Sequence, residues 1–295
     1  MKKIKRMLGE QDIQCLYLLW KWKMLTTAAL AHFVFGGRSL NRSYRRLLVL
    51  ESERLIQAVA SKSGAAFLWM LNDKGYELIK GSLPILKMSG YKSENIEHDF
   101  WVTAIHLTPW YHGIPTNCSM MSEQELRRID FENYPDWAPK TLSHRPDGWW
   151  KITEGGTSKI IALEVELSMK TQIAYTELAE FYHSKDLVRG VLWFVKNQAA
   201  IDYIQRHLIR GSINANEKHS FFLVDHYFQT QGHTPVVCGK DCGKSFSEIF
   251  STSSVLCESQ GTTLGLLDTR KKPTKPVTSN KLKMYESPLS KGYLW

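Results

Sequence analysis

Apolar side chains recur at helical spacing over residues 12–25, with Ile13, Leu16, Tyr17, Trp20 and Met24 on one stripe. Thr26-Thr27 supplies a cap for a second, short helix carrying Ala28, Leu30, Ala31, Phe33 and Val34, and Gly36-Gly37 ends it. A third helix starts near Ser39. It carries Leu40, Tyr44, Leu47 and Leu48 on one side, with Arg42, Ser43, Arg45 and Arg46 on the other side or its flanks. The pattern then changes from helical to extended. Residues 55–60 and 66–71 read as two strands joined by a turn at Ser61-Lys62-Ser63-Gly64, and residues 72–79 read as a closing helix.

Three short helices, the third of them basic, followed by a hairpin predict a winged helix-turn-helix over residues 8–88. In that fold the third helix enters the major groove of double-stranded DNA. The expected contacts are Arg38, Arg42, Ser43, Arg45, Arg46 and Lys62. The residue types do not separate phosphate contacts from base contacts, and only the latter specify sequence. The competing reading is a small helical unit whose arginines are simply solvated.

Gly81, Pro84 and Gly90, with several Ser and Lys residues, mark a boundary over residues 81–95. Residues 95–107 then form an amphipathic helix carrying His98 and Asp99. Along residues 159–168, Ile161, Leu163, Val165 and Leu167 share one face of a strand, so Glu164 and Glu166 share the other. Gly155-Gly156 turns this strand back on one that begins near Pro146-Asp147-Gly148. A helix follows over residues 171–184, with Ile173, Leu178 and Phe181 toward the sheet. A buried strand (190–196), a helix (199–209) and another apolar strand (219–225) complete the series. Helix, hairpin, strand, helix, strand is the order of a restriction-endonuclease-like α/β core, expected over residues 94–231. Gly, Ser, Thr, Lys and Pro dominate after that, so residues 232–295 are expected to be a basic, partly disordered tail.

Charge sharpens this division. Residues 1–95 hold 16 Lys and Arg against 7 Asp and Glu, whereas residues 96–231 hold 13 against 17. A basic front beside an acidic middle fits a DNA-gripping module joined to a carboxylate-rich site, although a basic solubility surface gives the same net charge. No stretch nears the roughly 18 consecutive apolar residues of a membrane span. The basic start (Lys2, Lys3, Lys5, Arg6) is followed by Glu10, Gln11, Asp12 and Gln14, which break any signal-peptide core. The expectation is a soluble, cytoplasmic protein with no membrane partner. Cys238 and Cys242 would make half a zinc site, but no second ligand pair follows, so reduced thiols are expected.

The chemistry is expected where Asp147 meets Glu164 and Glu166. Three carboxylates at one end of a sheet repel one another unless a cation neutralises them. An all-oxygen set facing a phosphodiester suits Mg²⁺ (or Mn²⁺). Lys170, just beyond the strand, is placed to stabilise charge in the transition state. Pro135-Asp136 is a second Pro-Asp pair, but Asp147 precedes Glu164 by 17 positions, which suits one hairpin, against 28 for Asp136. A Glu-x-Glu pair alone is more often a solvated face; the Pro-Asp-Gly and the hairpin spacing turn it toward a site. Tyr175 and Tyr182 fall seven apart on the following helix. A tyrosine nucleophile there would form a covalent DNA intermediate, and packing is the simpler role.

A winged helix, then His98-Asp99, Pro146-Asp147-Gly148 and Glu164-Val165-Glu166, resembles the MobC-type relaxases and related replication-relaxation proteins of plasmids and integrative elements. The resemblance spans about residues 10–225. It implies that Asp147, Glu164 and Glu166 form the acidic triad of a PD-(D/E)XK nuclease and that His98 and Asp99 form an accessory motif. It further implies nicking or processing of DNA at a transfer or replication origin, alongside other mobile-element transfer or replication proteins. Glu166 stands where the commonest PD-(D/E)XK pattern has Lys, which leaves the nucleophile-activating group open. Two alternatives share the core: a transposition or restriction endonuclease, and a non-catalytic DNA-binding initiator or regulator.

Overall fold

The computed structural model describes residues 8–37, 39–60, 67–111, 118–141, 143–154 and 156–250. Helix α1 (Glu10–Trp22) opens with the Asp12 carboxylate accepting from the Gly9 amide at 2.7 Å, which satisfies an otherwise orphaned donor. It buries Cys15, Leu16, Leu19 and Trp20. The helix ends three residues earlier than the apolar spacing predicts, because Lys23 takes a left-handed conformation (φ 62°). Met24 and Leu25 therefore extend as strand β1 (Met24–Thr26) instead of continuing the helix.

The Thr26 hydroxyl then accepts from the Ala29 amide at 3.1 Å and starts α2 (Thr27–Phe33). Helix α3 (Leu40–Ser52) is followed by β2 (Ile56–Ala60), β3 (Phe67–Leu71) and α4 (Asp73–Ile79). The three strands form an antiparallel sheet in the order β1-β3-β2. The buried face of α3 is Ser43, Leu47 and Leu50, whereas Tyr44 and Leu48 are exposed. The expected apolar set was thus rotated: the core reads positions i, i+4 and i+7 from Ser43.

The rest of the chain builds a second, larger sheet. Its elements run α5 (Ile96–Tyr111), β4 (Cys118–Ser122), α6 (Glu123–Arg128), β5 (Gly148–Glu154), β6 (Thr157–Glu166), α7 (Gln172–His183) and β7 (Val188–Val195). They continue through α8 (Gln198–Gly211), β8 (His219–Leu223), α9 (Val224–Thr230), β9 (Cys238–Gly239) and α10 (Phe246–Phe250). The strands lie in sequence order, β4-β5-β6-β7-β8-β9. The β4-β5-β6 meander is antiparallel, β6, β7 and β8 are parallel, and β9 adds antiparallel at the edge. The molecule is therefore mixed α/β, with a six-stranded mixed sheet and a three-stranded sheet.

Helices cover both faces of the large sheet. Val102 and Ile105 of α5 and Phe246 and Phe250 of α10 pack on Trp150, Ile161, Leu163, Val165 and Phe194. On the opposite face, Tyr175, Leu178 and Tyr182 of α7 and Ile201 and Ile204 of α8 pack on Trp149, Ala162, Val191 and Trp193. Ile173 is 71% exposed and does not face the sheet as expected, while Leu178 and Phe181 do. The apolar cluster on the α7 side is continuous with the core of the first 80 residues.

The expected tail begins too early. Residues 232–250 belong to the fold: Phe221 of β8 pairs with Cys238, and Phe246, Ile249 and Phe250 are buried. These three sit at i, i+3 and i+4 behind a Ser245 cap, a one-turn amphipathic pattern that polar neighbours mask. Residues 251–295 lie outside the described residues. Strand β4 and helix α6 were not anticipated, although Ser122 and Glu125 form a capping box that marks the start of α6. Among the described residues, no helix is long and apolar enough to cross a membrane.

Candidate active site

Strand β6 outruns its antiparallel partner. Pairing with β5 stops at Gly148 opposite Leu163, whereas β6 continues through Glu166 against β7. Val165 is thus left with an amide and a carbonyl on an open edge, groups that cost free energy if buried unpaired. The Asp147 carboxylate accepts the Val165 amide at 2.6 Å (Oδ2), and the His98 Nε2 lies 3.1 Å from the Val165 carbonyl. The Asp147 amide in turn donates to the Leu163 carbonyl at 2.9 Å, so Asp147 sits beside Glu164 as the hairpin spacing requires. Asp136, the other Pro-Asp aspartate, is exposed.

Gly148 is needed here for space. A Cβ at this position would lie 2.0 Å from His106 Nε2, which itself is 3.3 Å from the Asp147 carbonyl oxygen.

Alternation along β6 sends Val165 toward α5 and places Glu164 and Glu166 on the α7 side, both buried. Both partners of Glu164 fall on Oε1: His144 Nε2 at 2.6 Å and the Tyr182 hydroxyl, which donates a short bond. The Lys170 ammonium contacts Glu166, and the Lys170 amide donates to the Tyr175 hydroxyl at 3.0 Å. Burial pushes the Glu166 carboxyl up, only partly offset by Lys170. Lys170 itself is raised: burial opposes its charge, but Glu164, Glu166 and Asp147 together outweigh that. All three carboxylates thus act on one ammonium.

His98 joins this group from α5. Its Nε2 is 3.4 Å from Asp147 Oδ1 and its Nδ1 is 3.6 Å from Asp99 Oδ1. Burial alone would lower its pKa, but hydrogen bonding to Asp147 and Asp99 reverses this and raises it to about 10. Burial likewise opposes ionisation of Asp147 and Asp99, but their partners together outweigh it, His98 with the Val165 amide and Lys170 at Asp147, and His98 with Lys23 and Ser93 at Asp99, so both carboxyls are lowered. Asp99 is held at about 2.

Tyr175 and Tyr182 are fully buried, and burial raises the pKa of both phenols. Tyr182 is a hydrogen-bond donor to Glu164, not an open nucleophile.

The structure places these residues in three neighbouring groups: Asp147 with His98 and Asp99, Glu166 with Lys170, and Glu164 with His144 and Tyr182, with the charges of Asp147, Glu164 and Glu166 all reaching Lys170. It does not draw the three expected metal ligands into the tightest set. Among the described residues, the ligand atoms that lie within 4.8 Å of one another belong to His98, Asp99 and Glu123. Lys23 Nζ is 2.9 Å from Asp99 and 2.6 Å from Glu123, so an ammonium already supplies positive charge there. At Asp147, Glu164 and Glu166 the donor set is all carboxylate oxygen, which fits a hard divalent ion in chemistry. His144, Lys23, Glu123 and the Tyr182 hydroxyl were not foreseen as parts of the network. His144 lies three residues before Asp147, in the same run, but Lys23 contacts Asp99 across 76 positions, which no local pattern reveals.

The expected DNA contacts divide three ways. Arg42 and Arg45 are exposed on α3. Ser43 is buried at 2% exposure and faces the core, which removes it as a contact. Arg46 is engaged with the buried Asp12, Nε to Oδ1 at 2.7 Å and Nη2 to Oδ2 by a shorter bond. Arg38 and Lys62 lie outside the described residues. The described cysteines Cys15, Cys118, Cys238 and Cys242 are free thiols, and Cys238 bonds Gln205 at 3.2 Å.

Comparison of the chain with family models, with curated proteins and with solved structures finds no significant match.

Proposed function

We propose that this chain is a metal-dependent DNA endonuclease or nickase of the relaxase type, in which a winged helix-turn-helix presents DNA to a PD-(D/E)XK-like site. The observation that carries the reading is the substitution of Asp147 for the missing end of β5, which holds its carboxylate on the amide of Val165, the residue between Glu164 and Glu166. The order helix, antiparallel meander, helix, parallel strand supports a restriction-endonuclease-like core over α5 to β7. The order α1, β1, α2, α3, β2, β3, with exposed Arg42 and Arg45 on the third helix, supports the DNA-binding module. The MobC-type resemblance directs the reading to origin DNA of a mobile element, with other transfer or replication proteins as partners.

Asp147, Glu164 and Glu166 would hold Mg²⁺ or Mn²⁺. When bound, that ion neutralises the carboxylates, polarises the phosphodiester and lowers the pKa of a water ligand. His98 fixes the Asp147 carboxylate from the α5 side. His144 and Tyr182 hold Glu164 through Oε1. Lys170 brings a positive charge to the same edge and stabilises the anionic phosphoryl group during displacement. Incubation of supercoiled origin-containing plasmid with the protein and Mg²⁺ or Mn²⁺ tests this. Nicked product that disappears in Asp147→Ala and Glu164→Ala is expected, and cutting by both variants at the wild-type rate overturns it.

One observation favours a second reading. The carboxylates already have protein partners, including Lys170, and do not converge as closely as His98, Asp99 and Glu123. On that reading the sheet is a scaffold and the chain is a DNA-binding initiator or regulator. It predicts steeply salt-dependent DNA binding with no heat of Mn²⁺ binding.

A further inference from the structure

The network around Asp147 does not end in the large sheet. Asp99 turns one oxygen to both His98 and Lys23, at 3.6 Å and 2.9 Å, and Lys23 belongs to the linker between α1 and β1 of the first unit. Lys23 is 6% exposed and also reaches Glu123 of α6 at 2.6 Å. Its backbone is in the left-handed region that favours glycine, so the position carries a side chain where the chain path favours none. The neighbouring Trp22 carbonyl is fixed from the other side by the Thr103 hydroxyl of α5 at 2.9 Å.

The geometry points to Lys23 as a positioning residue. Its ammonium fixes Asp99, Asp99 orients the His98 ring, and His98 holds Asp147 at the open edge of β6. The candidate site is then completed by a side chain from the first unit, not only fed DNA by it. This rests on the reading of Asp147 as a site residue, but its geometry can be measured without metal or DNA.

A buried ammonium removed alone leaves Arg127 as the partner of Glu123 and His98 as that of Asp99, with one buried negative charge in excess, so Lys23→Met is compared with the charge-balanced Lys23→Met/Glu123→Gln, and with Lys23→Arg as the conservative variant. The readout is the downfield proton on His98 Nδ1, the ring nitrogen that faces Asp99, in the full chain, distinguished from the Nε2 proton held near the Val165 carbonyl and assigned by its disappearance in His98→Gln. The expected result is a slowly exchanging proton in the wild type, lost in both Lys23→Met proteins while the amide spectrum stays folded, and restored in Lys23→Arg. Persistence of that proton in the folded Lys23→Met/Glu123→Gln protein, or its absence from the wild type, overturns the inference.

Mn²⁺ titration of the same proteins separates the two claims. A tenfold weaker Mn²⁺ affinity in the double variant supports positioning of a metal site. Loss of the ring proton with no Mn²⁺ binding even in the wild type supports the Lys23 network and rejects the nuclease reading.

Discussion

The Asp147 carboxylate accepts the amide of Val165 at 2.6 Å, and Val165 is the residue between Glu164 and Glu166. This bond replaces a strand partner where β5 has stopped, and it ties the Asp147 carboxylate to the backbone of the strand that carries Glu164 and Glu166.

Gly148 protects that arrangement. Gly148→Ala would drive a Cβ into His106 Nε2 and the Met121 carbonyl, both in buried surroundings. Overpacking of this kind costs roughly 2–3 kcal/mol, and the strain falls on the residue next to Asp147. A lower urea midpoint with unchanged m-value is expected, together with, on the proposed nuclease reading, a loss of nicking at temperatures where the variant is fully folded.

Arginines one position apart on α3 should behave oppositely. On the proposed DNA-binding reading, Arg45→Ala, with or without Arg42→Ala, leaves stability unchanged and weakens DNA binding, lowering the salt slope by about 0.9 for each phosphate no longer neutralised. Arg46→Ala instead strands the buried Asp12 carboxylate that also caps α1. It should cost about 2 kcal/mol of stability, a value reduced for the partial exposure of Arg46. Fluorescence anisotropy across a salt series and urea unfolding check the pair.

Acid should destabilise the fold through two buried histidines. Burial is the main cause that depresses His106 and His219 to about 3, and both are neutral in the folded chain. Below their unfolded pKa of about 6.5 the unfolded state takes up protons that the folded state refuses. Stability should then fall by roughly 3 kcal/mol per pH unit from these two groups as pH drops from 6.5 toward 3. His98 has the opposite sign. Its pKa is raised to about 10, so its contribution is complete below about 6.5 and is lost as pH rises through 10. Urea midpoints measured across pH should show both limbs, and His98→Gln should flatten the alkaline limb and also reduce the loss below about pH 4 that comes from the lowered carboxyls of Asp147 and Asp99.

Tyr182→Phe removes one of two donors to Glu164 and keeps the ring in its packed place. A stability loss of about 1 kcal/mol is expected and, on the proposed nuclease reading, a fall in nicking of about tenfold, since His144 still holds Oε1. Because the phenol is buried and stays protonated, wild-type protein should leave no covalent DNA adduct at Tyr182 on a denaturing gel.

Much of this was legible where the pattern has a strict period. The two-residue alternation of β6 told which face Glu164 and Glu166 share, and β5 and β6 pair up to Glu154 opposite Thr157. Helix ends were less legible. Nothing local announces that Lys23 turns left-handed, so Met24 and Leu25 looked helical until strand β3 was there to pair with them. The α3 register failed for a similar reason: Tyr44 and Leu48 are apolar yet exposed, while the polar Ser43 is buried. The site was half visible. Asp147, Glu164 and Glu166 lie within one hairpin, whereas the Lys23–Asp99 and Tyr182–Glu164 contacts depend on tertiary packing.

Calorimetric titration of the full chain with Mn²⁺ tests the central claim most directly. One saturable site in the wild type, weakened at least tenfold in Glu164→Gln and in Asp147→Asn with both variants folded, is the predicted result. No heat of binding in the wild type, or equal affinity in all three proteins, would contradict a divalent-cation site built from these carboxylates.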